Sequence, residues 1–177
     1  ELFRQKESLL RLILLGISRR ITPGRLLDFG SNYGRFLVLA QSYGWEPFGF
    51  EPCQEAVEFS RQHGFEVRSG WSLDEVGFPD NYFDAVTAID SFYYPQDPMA
   101  TLKSFHRVLR SGGVLAMRVS NKRAVLGLIR RLTGEGSSRD RALSRILQAQ
   151  SHSISISRLK WILLSVGFND IEIISRA

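Results

Sequence analysis

With 177 residues, 44% of them hydrophobic and 23% charged, the chain has the size and composition of one ordinary globular domain with a real core. A single cysteine, Cys53, excludes an internal disulfide framework, has no partners at metal-ligand spacing, fits a reducing cytoplasm and reads as a small buried side chain. The net charge is +5, unevenly spread: residues 1–25 carry six Lys/Arg against two acids, residues 26–100 three against twelve, and residues 101–177 fourteen against four.

An acidic middle beside a basic last third implies either two ligand environments in one domain or simply solvated helix faces. The most apolar run, residues 9–17, contains Arg11, is too short to span a bilayer and has no signal-peptide cleavage pattern. A membrane span and a metal centre are therefore not expected.

In chain order, residues 2–18 read as a helix with Phe3, Leu10, Ile13, Leu14 and Ile17 on one face. Thr22-Pro23-Gly24 breaks it. A strand is expected at 25–29, a helix at 34–43, a strand at 46–51 and a helix at 52–63 with Pro52 in its first turn. Short strands follow at 65–68 and 82–89; the second, "YFDAVTAI", is apolar on both faces, as in a parallel sheet covered by helices. Residues 97–110 read as a helix striped by Met99, Leu102, Phe105 and Val108 and ended at Gly112. A fifth strand is expected at 114–120.

Residues 121–150 are basic and mostly helical in pattern. Ser157 is expected to cap a helix bearing Leu159, Ile162, Leu163 and Val166 and stopped at Gly167, and residues 170–174 to form the last strand. The alternation predicts an α/β fold: a mostly parallel, Rossmann-like sheet with helices on both faces in a three-layer αβα sandwich, its final strand or strands antiparallel or partly missing. The whole, 1–177, reads as one domain: an N-terminal helix (1–21), a ligand-binding core (22–120), a basic helical insertion or lid (121–156), and a final helix and strand (157–177).

Ligands of such sheets bind outside the carboxyl ends of the strands. The segments just past those ends are Gly30-Ser31-Asn32-Tyr33-Gly34, Glu51, Gly70-Trp71-Ser72, residues 90–94, and Ser120-Asn121. Gly30 and Gly34 permit close backbone approach, and an acid at 51, ending the next strand, can accept both hydroxyls of a ribose. Together they imply a nucleoside. The plainer alternative is a tight turn followed by an acid that caps the next helix.

A dinucleotide site wants G-x-G-x-x-G, but Asn32 and Arg35 occupy the second and third glycine positions, and no G-x-x-x-x-G-K-[ST] loop is present. Asp28 would repel a pyrophosphate and suits a cation. S-adenosylmethionine fits: a nucleoside with a sulfonium, an ammonium and no phosphate.

These residues carry a family resemblance. "LDFGSNYG" (27–34) resembles motif I of the class I S-adenosylmethionine-dependent methyltransferases. "GFEP" (49–52) is similar to their ribose-binding motif, and "FPDNYFDAVTAID" (78–90) to their fourth-strand motif. "LKSFHRVLRSGGVLAMRVSN" (102–121) resembles their next helix and strand. His152, Ile156, Ser157, Leu159, Leu163 and Gly167-Phe168 resemble the C-terminal pattern of bacterial small-molecule methyltransferases.

The resemblance implies that Asp28 and Gly30 hold the methionine ammonium within the loop of Ser31, Asn32 and Gly34, and that Glu51 holds the ribose. It also implies that Pro52, Trp71, Ser72 and Leu73 surround the adenine and that Asp90 sits beside the methionine or ribose. Three departures stand out: Asn32 for a glycine, Ser111 for a proline, and Tyr93-Tyr94 where relatives that methylate phenols often carry Glu-His.

Methyl transfer from a sulfonium needs alignment more than acid–base groups, so no catalytic residue is fixed. Tyr93, Tyr94 and His152 are the candidates; His63 and His106 sit in helical patterns. From Arg118 to Arg145 eight basic residues face two acids, and Arg118, Asn121, Arg130 and Arg131, with Tyr93 and Tyr94, are the expected acceptor contacts. The acceptor is expected to be a small molecule bearing phosphate or carboxylate.

RNA is a less favoured candidate for the anionic partner, since aromatics do not interleave with the basic residues. A non-catalytic S-adenosylmethionine-binding protein and a nucleotide-dependent oxidoreductase are the other readings. The expected chain is cytoplasmic, a monomer or a homodimer.

Overall fold

A computed structural model describes residues 2–92, 95, 97–119 and 155–174. Five strands alternate with helices: α1 (Leu2–Ser18), β1 (Arg25–Phe29), α2 (Arg35–Ser42), β2 (Glu46–Phe50), α3 (Gln54–Gln62), β3 (Glu66–Arg68), β4 (Phe83–Ile89), α4 (Pro98–Val108) and β5 (Leu109–Arg118). After the undescribed stretch comes α5 (Ile156–Val166). The strands form one sheet in the order β3-β2-β1-β4-β5, every neighbouring pair parallel.

Why the chain folds this way is visible in β1. Leu26, Leu27, Asp28 and Phe29 are all buried, because both neighbours and both faces are occupied. Leu26 turns towards Leu10, Leu14 and Ile17 of α1 and Phe36 and Ala40 of α2. Leu27 and Phe29 turn the other way, into a core shared with Leu102, Phe105 and Val108 of α4 and Ile162 of α5. Phe29 stacks on Phe50 at 4.9 Å between centroids and meets the edge of Phe105 at 5.0 Å; such pairs add about 0.5–1.5 kcal/mol each beyond their buried area. Helices cover both faces, and the strand order reverses at β1/β4, which sets the crevice between those two strand tips.

Several expectations are corrected. The helix expected over 97–110 stops at Val108, capped at its start by Asp97, which accepts from the N–H groups of Met99 and Ala100. Gly112 does not end it. Gly112 and Gly113 lie inside β5, where the pairing jumps from Phe83↔Leu109 to Ala85↔Val114. A Cβ on Gly113 would stand 3.0 Å from the Asp84 carbonyl oxygen, so the glycine pair lets a bulge pass close to β4.

Pro52 precedes α3 rather than entering it, and Cys53, its N-cap residue, is exposed rather than buried. Ser155, not Ser157, caps α5, its hydroxyl accepting from the Arg158 N–H at 3.3 Å. No strand forms at 170–174. Its polar positions, Asp170 and Glu172, pair instead with Arg20 just beyond α1, and Ile173 and Ile174 stay exposed. Among the described residues no helix is long and apolar enough to cross a membrane.

Candidate functional site

At the tip of β1 the chain turns through Gly30 at φ +80°. A Cβ there would come within 2.4 Å of the Ser91 Cβ, so residue 30 must lack a side chain on two counts. Ser91 closes the contact by donating its hydroxyl to the Phe29 carbonyl. The loop then passes Asn32, also left-handed at φ +49°, and enters α2 from Gly34 at φ +75°.

The loop's hydrogen bonds decide its chemistry. Gly30 and Ser31 both donate their N–H groups to the Phe50 carbonyl, at 2.8 and 3.1 Å. Asn32 donates to Glu51 Oε2 at 2.9 Å, Tyr33 to its neighbour's Asn32 Oδ1 at 2.8 Å, and Gly34 to the Ser31 carbonyl at 3.0 Å. Every backbone donor from 30 to 34 is therefore spent inside the protein. A phosphate-binding loop needs those donors aimed outwards.

Around the loop stand carboxylates. Asp28 is buried at 4% exposure, and its Oδ1 accepts from the Thr87 hydroxyl at 2.7 Å. Burial raises its pKa to about 7; the Thr87 hydrogen bond opposes the rise, and the nearby negative charge of Glu51 adds to it. No cation compensates Asp28 among the described residues.

Glu51, 9% exposed, accepts from the Asn32 N–H through one oxygen and from the Cys53 N–H, at 3.0 Å, through the other. It thus ties the β1 and β2 loops together without being the cap of α3, and each oxygen keeps a lone pair for a hydroxyl donor. The Ser31 hydroxyl is buried with no hydrogen-bond partner.

On the far side, Asp90 ends β4 at φ +56° and ion-pairs with Arg118 at the end of β5. Beyond β3, Trp71 is 86% exposed while Leu73 is buried in the core, so Leu73 has only its backbone to offer. Glu75 accepts from the Trp71 N–H at 2.9 Å, and the Ser72 hydroxyl accepts from the Glu75 N–H at 3.4 Å. Asp28, Gly30, Ser31, Asn32, Gly34, Glu51 and Asp90 thus gather at the tips of β1, β2 and β4.

Tyr93, Tyr94, Asn121, Arg130, Arg131 and His152 lie outside the described residues. His63 stacks on Phe59 and His106 packs edge-on against Phe168, both away from the strand tips. Thr87 escaped the sequence reading, and Ser91 entered it only as part of the segment 90–94. Thr87 left a signal, a lone hydroxyl in the apolar run "AVTAI".

The methyltransferase-domain family matches residues 2–173. The chain belongs to that family. Its fold is that of the S-adenosylmethionine-dependent class I methyltransferases. A methyltransferase of that kind from Archaeoglobus fulgidus superposes with a TM-score of 0.67 at 22% identity, over 96% of this chain and 74% of that one. The phosphoethanolamine N-methyltransferase 2 of Haemonchus contortus, solved with S-adenosyl-L-methionine, gives 0.67 at 20% identity over 90% of this chain and 37% of its own.

In sequence, the sarcosine/dimethylglycine N-methyltransferase of Halorhodospira halochloris is 33% identical over 107 residues, 55% of this chain and 38% of that protein. An uncharacterized methyltransferase of Schizosaccharomyces pombe is 29% identical over 109 residues, 53% of this chain and 39% of that protein. The chain thus spans about two-fifths of the length of these curated relatives.

The cofactor of this family meets a matching set of groups. A buried carboxylate without a countercharge suits an ammonium or sulfonium, and the absence of outward N–H donors in the loop suits a ligand without phosphate.

Proposed function

We propose that this chain transfers a methyl group from S-adenosylmethionine to a small acceptor that carries an amine and an acidic group. The observation that carries the cofactor half is the internal use of all five N–H groups from Gly30 to Gly34. With the donors consumed, the crevice presents carbonyl and carboxylate oxygens, which attract a cation and repel a phosphate.

In this reading Asp28 and the Gly30 carbonyl hold the methionine ammonium, and Glu51 takes the ribose hydroxyls on its spare lone pairs. Ser31, Asn32 and Gly34 shape the wall. Pro52, exposed Trp71, Ser72 and the Leu73 backbone border the adenine. The bound sulfonium supplies an electrophilic methyl group whose transfer leaves a neutral thioether. The chain's own task is to align the acceptor with that methyl and to exclude water, so a dedicated base is not required when the nucleophile is a neutral amine.

Support for the acceptor comes from two relatives named as N-methyltransferases, of sarcosine/dimethylglycine and of phosphoethanolamine. Both names describe an amine beside an acid. Asn121, Arg130 and Arg131, from the basic stretch 118–145, and Tyr93, Tyr94 and His152 are the residues proposed to contact the acceptor. Calorimetric titration with S-adenosylhomocysteine, then turnover of S-adenosylmethionine with dimethylglycine and phosphoethanolamine, tests the reading. Binding of the thioether and methylation of either amine support it. Absence of any S-adenosylhomocysteine binding contradicts it.

A further inference from the structure

Two guanidinium groups stand at the tips of described strands, and they are used differently. Arg68, ending β3, is consumed by the protein. Its Nε and NH2 donate to Glu66, its NH1 donates to the Val76 and Gly77 carbonyls at 2.9 and 3.2 Å, and its plane lies over the Phe78 ring at 4.3 Å.

Arg118, ending β5, has one described bond, from NH1 to Asp90 Oδ2. Among the described residues nothing engages its Nε or NH2. Its side chain is 42% exposed. The remaining N–H groups of a planar fork held at one corner are suited to a second carboxylate or a phosphate.

Asp90 is built to hold that corner. Its N–H donates to the Arg118 carbonyl at 3.2 Å, so backbone and side chain fix the same pair of strand tips. Its other carboxylate oxygen, Oδ1, is buried and has no partner, a cost that calls for an explanation beyond a surface ion pair. Next in the chain, Ser91 packs against Gly30. The guanidinium is thereby anchored one residue from the loop that borders the cofactor crevice, on the β4/β5 side, away from Glu51.

We propose that Arg118 is the specificity-determining residue that binds the acidic group of the acceptor, with Asp90 as its positioning residue. The assignment rests on the methyltransferase reading above. It adds that the acceptor's acid lies against the tip of β5 and that this contact, rather than the cofactor site, selects anionic acceptors. Asp90 offsets the guanidinium's charge and fixes its direction, so recognition rests on the remaining directed N–H groups, a directional two-point contact, rather than on diffuse attraction.

The test is titration of the S-adenosylhomocysteine-loaded chain with dimethylglycine, with phosphoethanolamine and with dimethylaminoethanol, which has the amine but no acid. Wild type should bind one or both acid-bearing amines at least tenfold more tightly than dimethylaminoethanol; which one binds distinguishes a carboxylate from a phosphate. Arg118→Gln should abolish that preference while changing S-adenosylhomocysteine affinity less than twofold, and Arg118→Lys should restore part of it. Asp90→Asn, which keeps the shape and tolerates the left-handed backbone, should reduce the preference about three- to tenfold and make it more sensitive to salt. Equal binding of the three amines by wild type, binding of none, or an unchanged preference in Arg118→Gln would overturn the proposal. Loss of S-adenosylhomocysteine binding by wild type would instead remove the reading beneath it.

Discussion

The two halves of the strand-tip crevice are finished differently. On the β1/β2 side every backbone N–H from Gly30 to Gly34 is satisfied, although the Ser31 hydroxyl is not, and Glu51 bridges two loops through both of its oxygens. On the β4/β5 side Asp90 keeps an orphaned oxygen, and Arg118 has donors without a described partner. The closed side's backbone is fixed by the protein's own hydrogen bonds; in the proposed reading the acceptor's acidic group completes the open side. In the proposed reading, a fixed cofactor half beside an adaptable acceptor half would let one fold serve many acceptors.

The largest expected effect lies in the closed half, at Asp28. Below about pH 4 its carboxyl is protonated in both the folded and unfolded chain. Between about pH 4 and the folded pKa of about 7 only the folded chain keeps the proton. Stability from this group therefore declines as pH rises through that window and levels off above it, by about 4 kcal/mol in all. Urea unfolding at pH 4.5 and 7.5 should show this loss in wild type relative to Asp28→Asn, which has no such group. A cationic ligand reverses the sense: S-adenosylmethionine affinity should rise from pH 5.5 to 7.5 with proton release, and Asp28→Asn should weaken binding and remove the dependence.

Next comes the joint between the halves. Gly30→Ala meets Ser91 at 2.4 Å from a left-handed backbone and should cost about 1–3 kcal/mol in urea unfolding. Glu51→Ala should weaken S-adenosylhomocysteine binding by about 1–3 kcal/mol in calorimetry, since two hydroxyl partners lose a charged acceptor. A variant that binds as wild type does would mean that Glu51 serves only to tie the loops.

The smallest effect belongs far from the crevice. Arg20→Ala breaks ion pairs to Asp170 and Glu172 that are exposed on both sides and should cost no more than about 1 kcal/mol, with cofactor affinity unchanged.

The closed half was also the legible half. A strand of two leucines, an acid and a phenylalanine, followed by two glycines, states its own geometry, because burial on both faces and a forced turn leave few alternatives. The acid at 51 followed from the same logic, although its grip on the Asn32 N–H did not, since a hydrogen bond across 19 positions leaves no periodic trace; its bond to the Cys53 N–H is local. The signal at Thr87 was weak, because a β-branched residue in a strand needs no polar reason.

The errors share a cause. Gly112-Gly113 reads as a helix stop by local rules, yet the sheet uses it as a bulge beside β4. The alternation at 170–174 reads as a strand, yet its acids are taken by Arg20. In both, a long-range partner overrode a local pattern. For the open half the sequence supplied the two charges at 90 and 118 but not their pairing, which only the alignment of β4 with β5 creates.

In the proposed reading the crevice between β1 and β4 accepts a cationic nucleoside and rejects a phosphorylated one. Calorimetric titration of the wild-type chain with S-adenosylmethionine and with NAD, side by side at pH 7.5, tests it most directly. The account predicts one-site binding of S-adenosylmethionine and no heat from NAD; tight binding of NAD with none of S-adenosylmethionine would contradict it.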